Sequence, residues 1–568
     1  MRLRLTRMTF SYGFSILEVI LAAAIFMLFA TGAAGVIIRG FSTNRLGVEE
    51  TIGTQFASEG IEAVKSIKNQ DYSNLTNSTL GKGVQRNIDG VWEFKPDDTY
   101  DTSTHSATDD YIRRIKVQDV YRAGAPPCGD IVSTGGTLDQ DSKKITSTVT
   151  WNFNSSRPES VDLITYLTAF RKPFSGNGPI MMAYSKTTNV PYYRTWDGSS
   201  WSNEGSARTV GGNINYMVLK SSRTREEAVL GTLDSQGNIY VQVWNRCGWG
   251  APTLMAALGT ALDEFRSFDI AYEKSGDRAI LVYLLSSSNP SYRIWDGSSW
   301  SSPTTITTPT TGTVRWIEIA ENPITTSNDI AMIMLDANTD VYGMVWNGTS
   351  WNNMGDATVW DATASTAVRK AIDVAYEQIS GRTMFIWGDS VSTDQYYRIW
   401  NGSSLTAATL LDIPAQGDDS HWVKLASRPN SNELMYGVVD AASDLNTRKW
   451  SGSAWDTDVE HPEHDPDVEN IRSMNFDLVW ETHPGNPGKA WLVWGDNTFV
   501  SKKQWSGTSW GGATTLTGSD DTSFVRLRAD PTSGAIFAGI YESRTSSTDD
   551  IWESRLTSGG TTWSAKSI

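Results

Sequence analysis

Tyr292-Arg293-Ile294-Trp295-Asp296-Gly297-Ser298-Ser299-Trp300 is the stretch that decides how most of this chain folds. An aromatic run leads into Asp-Gly, and both turn residues tolerate the positive φ that tight hairpin turns require. Two tryptophans therefore flank a hairpin and pack across or beside it. The unit occurs earlier as Tyr193-Arg194-Thr195-Trp196-Asp197-Gly198-Ser199-Ser200-Trp201. It returns as Trp346-Asn347-Gly348-Thr349-Ser350-Trp351 and as Trp400-Asn401-Gly402-Ser403-Ser404-Leu405. Later copies drift to Trp450-Ser451-Gly452-Ser453-Ala454-Trp455 and Trp505-Ser506-Gly507-Thr508-Ser509-Trp510, and weaker versions lie at 244–249 and before Trp563. About eight copies spaced near fifty residues read as the blades of a propeller.

Strand-like runs precede each hairpin, as in Phe268-Asp269-Ile270-Ala271-Tyr272 and Ala279-Ile280-Leu281-Val282-Tyr283. Equivalent first runs stand at Ile372-Asp373-Val374-Ala375-Tyr376 and Phe476-Asp477-Leu478-Val479-Trp480. Four short strands per copy make a propeller blade. Residues 180–568 are therefore expected to form an all-β propeller of seven or eight blades, with eight favoured. The first copy opens at Ile180-Met181-Met182-Ala183-Tyr184 without a clear first strand. The Asp-Gly turns resemble the Asp-box hairpins of sialidase-like propellers and the Trp-rich repeats of propeller lectins. They depart from the Asp box in having no residue between Asp and Gly, so the resemblance carries a fold more than a chemistry.

Three functions compete for such a domain. As a binding module it would offer Trp196, Trp201, Trp295, Trp300, Trp346, Trp351 and Trp400 as candidate ligand-binding aromatics for glycans or surface proteins, with repetition adding avidity. For any single tryptophan, packing within or between blades is the commoner role. As a sialidase-like glycoside hydrolase it would need an arginine cluster and asymmetric carboxylates. Arg194, Arg293 and Arg398 occupy one repeat position, which predicts the same structural contact in each blade, and no asymmetric carboxylate pair stands out. No enzymatic activity and no cofactor are expected. The third reading is a structural spacer that binds nothing.

The N-terminus has a different character. Residues 1–13 carry Arg2, Arg4 and Arg7 without an acid, and the 25 residues from Phe14 to Ile38 contain one ionisable side chain, Glu18. That run is long enough to cross a bilayer, with the basic end held on the cytoplasmic side. The small residue Gly13 precedes the apolar run instead of following it, so cleavage there would retain the helix as an anchor. A carboxylate inside such a span costs a few kcal/mol unless partnered. A position near the helix start, favoured by the macrodipole, is the plainer reading of Glu18.

Gly13-Phe14-Ser15-Ile16-Leu17-Glu18, after a basic leader and before an apolar run, resembles the prepilin processing site of type IV pilins and pseudopilins. The resemblance implies a prepilin peptidase that cuts between Gly13 and Phe14 and N-methylates Phe14. It implies that Glu18 meets the free amino terminus of a neighbouring subunit and sets the register of assembly. No proline stands between Phe14 and Asp71, so the kink common in such helices is not expected, and Gly32 and Gly35 are the candidate points of flexibility.

Helical spacing of Ile52, Phe56, Ile61, Val64 and Ile67 continues the helix, over roughly 80 Å at about 1.5 Å per residue. Alternation at 111–117, 144–151 and 161–167 predicts strands. The full expectation is a leader (1–13), a transmembrane and fibre-core helix (14–73) packed on an antiparallel β-sheet head in pilin-like α+β fashion (74–172), a linker (173–179) and the propeller (180–568). By the resemblance, the subunit sits in the inner membrane, then joins other pilin subunits in an extracellular pilus or pseudopilus. A head this large fits a minor or tip subunit better than a crowded major one.

Net charge of −16 argues against nucleic acid as a partner. Cys128 and Cys247 are too few for a disulfide framework, and Cys128 reads as an unassigned thiol in a turn. His461-Pro462-Glu463-His464 reads as a solvated acidic loop in preference to a metal site.

Overall fold

A computed structural model describes residues 15–567 except 107–108, 125–127, 155–156, 169–179, 187, 246, 287, 366–367, 392–393, 414–418, 462–473, 486–487, 496–497, 521 and 543–549. The chain divides into two compact units, Met1–Phe170 and Arg171–Ile568. The expected leader, the Gly13–Phe14 junction and the linker 173–179 lie outside the described residues.

The first unit is built on α1 (Ile16–Gln70), a continuous helix of 55 residues that runs through Gly32 and Gly35 without interruption. Its first half is apolar and uncovered: Ile16, Leu17, Phe26, Leu28, Phe29 and Ile38 are all exposed. From Glu49 onward one face is buried. An antiparallel sheet carries the order β2 (Trp92–Asp97), β1 (Lys82–Arg86), β4 (Asp109–Arg122), β6 (Thr137–Asn154), β7 (Arg157–Thr168), with β3 (Asp101–Ser106) and β5 (Ile131–Val132) also paired to β4. Ile61, Val64 and Ile67 share one apolar cluster with Val84, Ile115, Val117 and Ile145.

Two glycines set the spacing between these layers. A Cβ at Gly53 would meet the Trp151 ring at 2.9 Å, and one at Gly60 would meet Arg113 Cδ at the same distance. Polar groups at the same joint are matched. The Trp151 indole N–H donates to Glu49 at 3.1 Å, and the buried Arg113 donates to Asp101 at 2.9 Å and to the Phe56 carbonyl at 2.8 Å. Neither Cys128 nor Cys247 is a free thiol, which corrects the reading of Cys128 as unassigned: sequence separation says nothing about oxidation state.

The second unit is an eight-bladed antiparallel propeller. Blades 2 to 7 are four-stranded sheets whose strands pair in chain order, from the inner strand at the axis to a short outer strand. The inner strands are Ile214–Ser221, Phe268–Tyr272, Val314–Glu321, Ile372–Tyr376, Ser420–Ser427, Phe476–Trp480 and, in blade 8, Phe524–Ala529. Blade 1 has three strands among the described residues, Ile180–Ser185, Pro191–Trp196 and Gly205–Ser206. Trp196 marks its third-strand position, so these three are the second, third and outer strands.

The ring closes between blades 1 and 8. Trp196 packs edge-on against Phe537 at 6.0 Å, Arg555 lies 3.9 Å from the Trp196 ring, and the Trp201 indole N–H donates to Glu553 at 2.8 Å.

Consecutive blades are joined by two devices, and both repeat every second blade. Asp269, Asp373 and Asp477, spaced 104 residues apart, each accept the N–H of the next blade's inner strand, from Ile319, Leu425 and Leu527 at 3.0, 2.7 and 2.9 Å. Farther out, Glu273 accepts a fork from Arg278 at 2.6 Å and the Trp346 indole N–H at 2.7 Å. Arg278 also donates to the carbonyl of Gly348, the turn glycine of the next blade's hairpin. The set recurs at Glu377, Arg382, Trp450 and Gly452. The structural unit is thus a pair of blades, although the hairpin motif repeats in each.

Replacing Glu273 by Ala strips the acceptor from both Arg278 and the buried Trp346. The expected loss is on the order of 2 kcal/mol, read from urea unfolding followed by tryptophan fluorescence. An unchanged midpoint would mean that the joint between blades 3 and 4 does not depend on this carboxylate.

Candidate functional site

The hairpin turns that define the repeat are stabilised by their first residue. Asp197 Oδ1 accepts the backbone N–H groups of Ser199 and Ser200, both at 2.8 Å, and Asp296 does the same for Ser298 and Ser299. For both carboxylates, hydrogen bonds led by the backbone N–H of Ser200 or Ser299 bring the pKa down to about 2. Asn347 and Asn401 accept the same two N–H groups in their turns. These side chains are occupied in shaping the turn.

Across each hairpin the paired tryptophans touch. Ring centroids are 5.6 Å apart for Trp196 and Trp201, 5.5 Å for Trp295 and Trp300, and 5.9 Å for Trp346 and Trp351. Trp346 is 1% exposed, and Trp196 is also buried. Trp201, Trp295, Trp300, Trp351 and Trp400 are half-buried at the blade surface. The buried indole N–H groups of Trp295 and Trp351 find no protein acceptor. The tryptophan set therefore splits into buried members that pack blades and half-buried members with a free edge or face.

Two of the three recurrent arginines share one contact, as the sequence-based expectation had it for all three: Arg194 and Arg293 meet the hydroxyls of Tyr184 and Tyr283 in their own blades, and Arg398 departs. Arg293 Nε donates to the Tyr283 hydroxyl of its own blade at 3.2 Å. Arg398 reaches back to Asp356 of the preceding blade at 2.7 Å, lies over Trp360 at 4.9 Å, and gives its Nε to the Thr406 carbonyl at 2.8 Å. The reason is local: the segment after Trp351 brings Asp356 and Trp360 to Arg398, and no equivalent stands beside Arg293.

Thr447, Arg448, Asp456, Trp505 and Trp510 meet at the junction of blades 6 and 7, packed closely enough to leave no room for a water-sized molecule between them. Trp505 and Trp510 meet edge to face at 5.6 Å, and Arg448 forks onto the Asp456 carbonyl. Sequence reading counted this hairpin as a drifted copy and did not single out its residues. The signal was present, because an Arg again stands two residues before the first tryptophan, in Arg448-Lys449-Trp450.

Below it sits His461, which corrects the reading of residues 461–464 as a solvated loop. His461 ends a strand, is 1% exposed, shares a hydrogen bond with Thr447 at 2.8 Å and packs edge-on against Trp510 at 5.2 Å. Residues 462–464 lie outside the described residues. Among the described residues no group of three His, Cys, Asp or Glu side chains is placed to hold a metal ion.

At the N-terminal end of α1, Ser15 accepts the N–H of Leu17 at 3.2 Å while Glu18 accepts the N–H of Ser15 at 3.4 Å, forming a capping box. Glu18 thus begins the helix and remains exposed.

No protein-family model matches the chain, and no curated protein matches it. Among solved structures, the BP39L lectin from Burkholderia pseudomallei is similar at 12% identity and TM-score 0.45, covering 62% of this chain and 98% of that one. A lectin from Aleuria aurantia, described as a six-bladed β-propeller with a novel fucose recognition mode, is similar at 12% identity and TM-score 0.31, covering 56% and 91%. A eukaryotic initiation factor is similar at 8% identity and TM-score 0.36, covering 69% and 96%. The propeller assignment rests on the sheet topology rather than on these likenesses.

Burial holds the His461 ring neutral, with the Lys503 ammonium 3.2 Å away adding repulsion, and brings its pKa to about 3. An unfolded histidine titrates near 6.5, so the folded chain takes up no proton while the unfolded chain does. Stability is therefore full above pH 6.5 and falls as pH drops toward 3, by at most about 1.4 kcal/mol per pH unit from this residue. Unfolding midpoints across pH 4–8 should show a shallower slope for His461→Gln; an identical slope would remove His461 as the source.

Proposed function

We propose that this chain is a pilin-type subunit, minor or at a fibre tip, whose retained helix anchors it and whose propeller binds carbohydrate at the cell exterior. The observation that carries the first part is the helix itself. Its first half is apolar, with a mean hydropathy of 2.3 over eighteen residues, none of them buried by the chain. Its second half is covered by the sheet. A disposable signal has no need of a rigid continuation into a folded unit, whereas an anchor that later packs against other helices does. In this reading Phe14 becomes the mature N-terminus, and Glu18 exchanges its local N–H partner for the amine of a neighbouring subunit in the fibre. The inner membrane holds the subunit before assembly, and the prepilin peptidase processes it.

Support for carbohydrate binding comes from the blade surface. Half-buried tryptophans such as Trp201, Trp300 and Trp351 offer stacking faces, a feature sugar rings use. Beside Arg448 and Asp456, Trp510 presents one such half-buried face. Binding, not hydrolysis, fits the recurrence of these elements from blade to blade.

Two experiments check this. Glu18→Ala is expected to leave membrane insertion intact and to cut fibre incorporation at least tenfold, measured by immunoblot of sheared fibres against membranes; equal incorporation would contradict a register role. The detergent-solubilised full chain on a broad glycan array is expected to bind selectively, with Trp510→Ala weakening the signal. A blank array would leave the propeller as a spacer.

A further inference from the structure

Alternate residues of the inner strands face the propeller axis, and they form levels. At the first level Tyr216, Trp316, Trp422 and Phe524, from blades 2, 4, 6 and 8, surround the guanidinium of Arg266 at 4.4, 5.9, 4.8 and 6.0 Å. Arg266 is 3% exposed, and its Nη1 finds no hydrogen-bond acceptor. This aromatic box closes the axis at the end where the inner strands begin.

The second level is charged. Even blades place Glu318, Lys424 and Arg526 there, and odd blades place Asp269, Asp373 and Asp477. At the third level Lys220 and Arg528 stand among Ala320 and Ala426. Solvent reaches this part of the axis, since the side chains of Arg528 and Arg526 are 61% and 30% exposed.

The charges do not cancel. Each aspartate spends one oxygen on the N–H of its own following residue, Ile270, Val374 or Leu478, and the other on the next blade. Glu318 pairs with Lys370 at 3.5 Å. Arg526 and Arg528 come no nearer to Asp477 than 4.0 and 3.8 Å. Lys220 and Lys424 make no hydrogen bond or ion pair among the described residues. Four cations, Lys220, Lys424, Arg526 and Arg528, thus share three aspartates on the axis of a chain whose net charge is −16. Lys220 belongs to blade 2 and Arg526 and Arg528 to blade 8, so they flank blade 1, the blade without an inner strand among the described residues.

We propose that this axial channel binds a small oxyanion, held by Lys424 and Arg526 on its floor and by Lys220 and Arg528 at its mouth. Ammonium and guanidinium groups crowded on one axis gain strong charge-assisted hydrogen bonds from a carboxylate, sulfate or phosphate group. Burial holds the Lys424 pKa below its usual range, the carboxylates of Asp373 and Asp477 offset part of that, and the nearby Arg526 and Arg528 add repulsion that an anion would relieve. The site is separate from the outer hairpins, so it stands whether or not those hairpins bind sugar.

The test is isothermal titration calorimetry on the full chain in detergent, at constant ionic strength, with sodium sulfate, galacturonate and galactose as probes. Saturable binding of sulfate or galacturonate without binding of galactose is expected, and Lys424→Met should weaken it at least tenfold. Galacturonate competing with sulfate would identify an acidic sugar as a source of the oxyanion, and sulfate alone would identify a free inorganic anion. The mouth variant Lys220→Gln/Arg528→Gln, altered at solvent-reached positions, covers the case in which Lys424→Met fails to fold, and should show the same weakening. Absence of saturable binding by either anion, or undiminished binding by the folded variants, would overturn the proposal.

Discussion

The first half of α1 is a surface that the described residues leave uncovered. Large side chains from Ile16 to Phe41 stand exposed along it, and each that finds an apolar environment gains about 1.5–3 kcal/mol. In the proposed reading the cover comes from outside the chain, first from lipid and then from other helices. Arg45, Glu49 and Trp151 mark where the demand ends: Glu49 binds Arg45 at 2.6 Å and the indole of Trp151, a residue of the sheet. Beyond that point the helix is a scaffold for a folded unit. One helix therefore serves two solvents, with the boundary set by a single buried carboxylate.

The propeller meets a different constraint, since each blade is a sheet with two faces that only its neighbours can bury. Large aromatic side chains fill these joints, and carboxylates at the start of every second blade tie the joints together. Glu273 gathers an arginine of its own blade, a tryptophan of the next and, through Arg278, the glycine of the next hairpin. The turn motif is consequently more than a local reversal. Its glycine carbonyl is where the preceding blade takes hold.

How much of this was legible in the sequence follows from the range of each interaction. The Asp-Gly and Asn-Gly turns were readable because their hydrogen bonds span two or three residues, and with them came the blades and a count of seven or eight, with eight favoured. That the first copy opens at Ile180 on its second strand was readable as well, and among the described residues blade 1 has three strands. The two-blade unit was not recognised, although Asp269, Asp373 and Asp477 repeat every 104 residues, because the hairpin repeats at half that period and dominates the pattern. Partners such as Glu273 and Trp346 lie 73 residues apart, and no local rule connects them. Arg398 misled for the same reason: a shared repeat position fixes where a side chain starts, while the neighbouring blade decides what it meets. His461 looked like part of a polar loop because its followers are polar, yet its strand carries it inward beside Trp510.

The central claim is that the N-terminal helix survives maturation. Intact-mass and peptide mass spectrometry of the protein recovered from the cell surface tests it most directly. The account predicts a chain that begins at Phe14, carrying one methyl group on its amino nitrogen. A surface form that begins beyond Ile38 would contradict it.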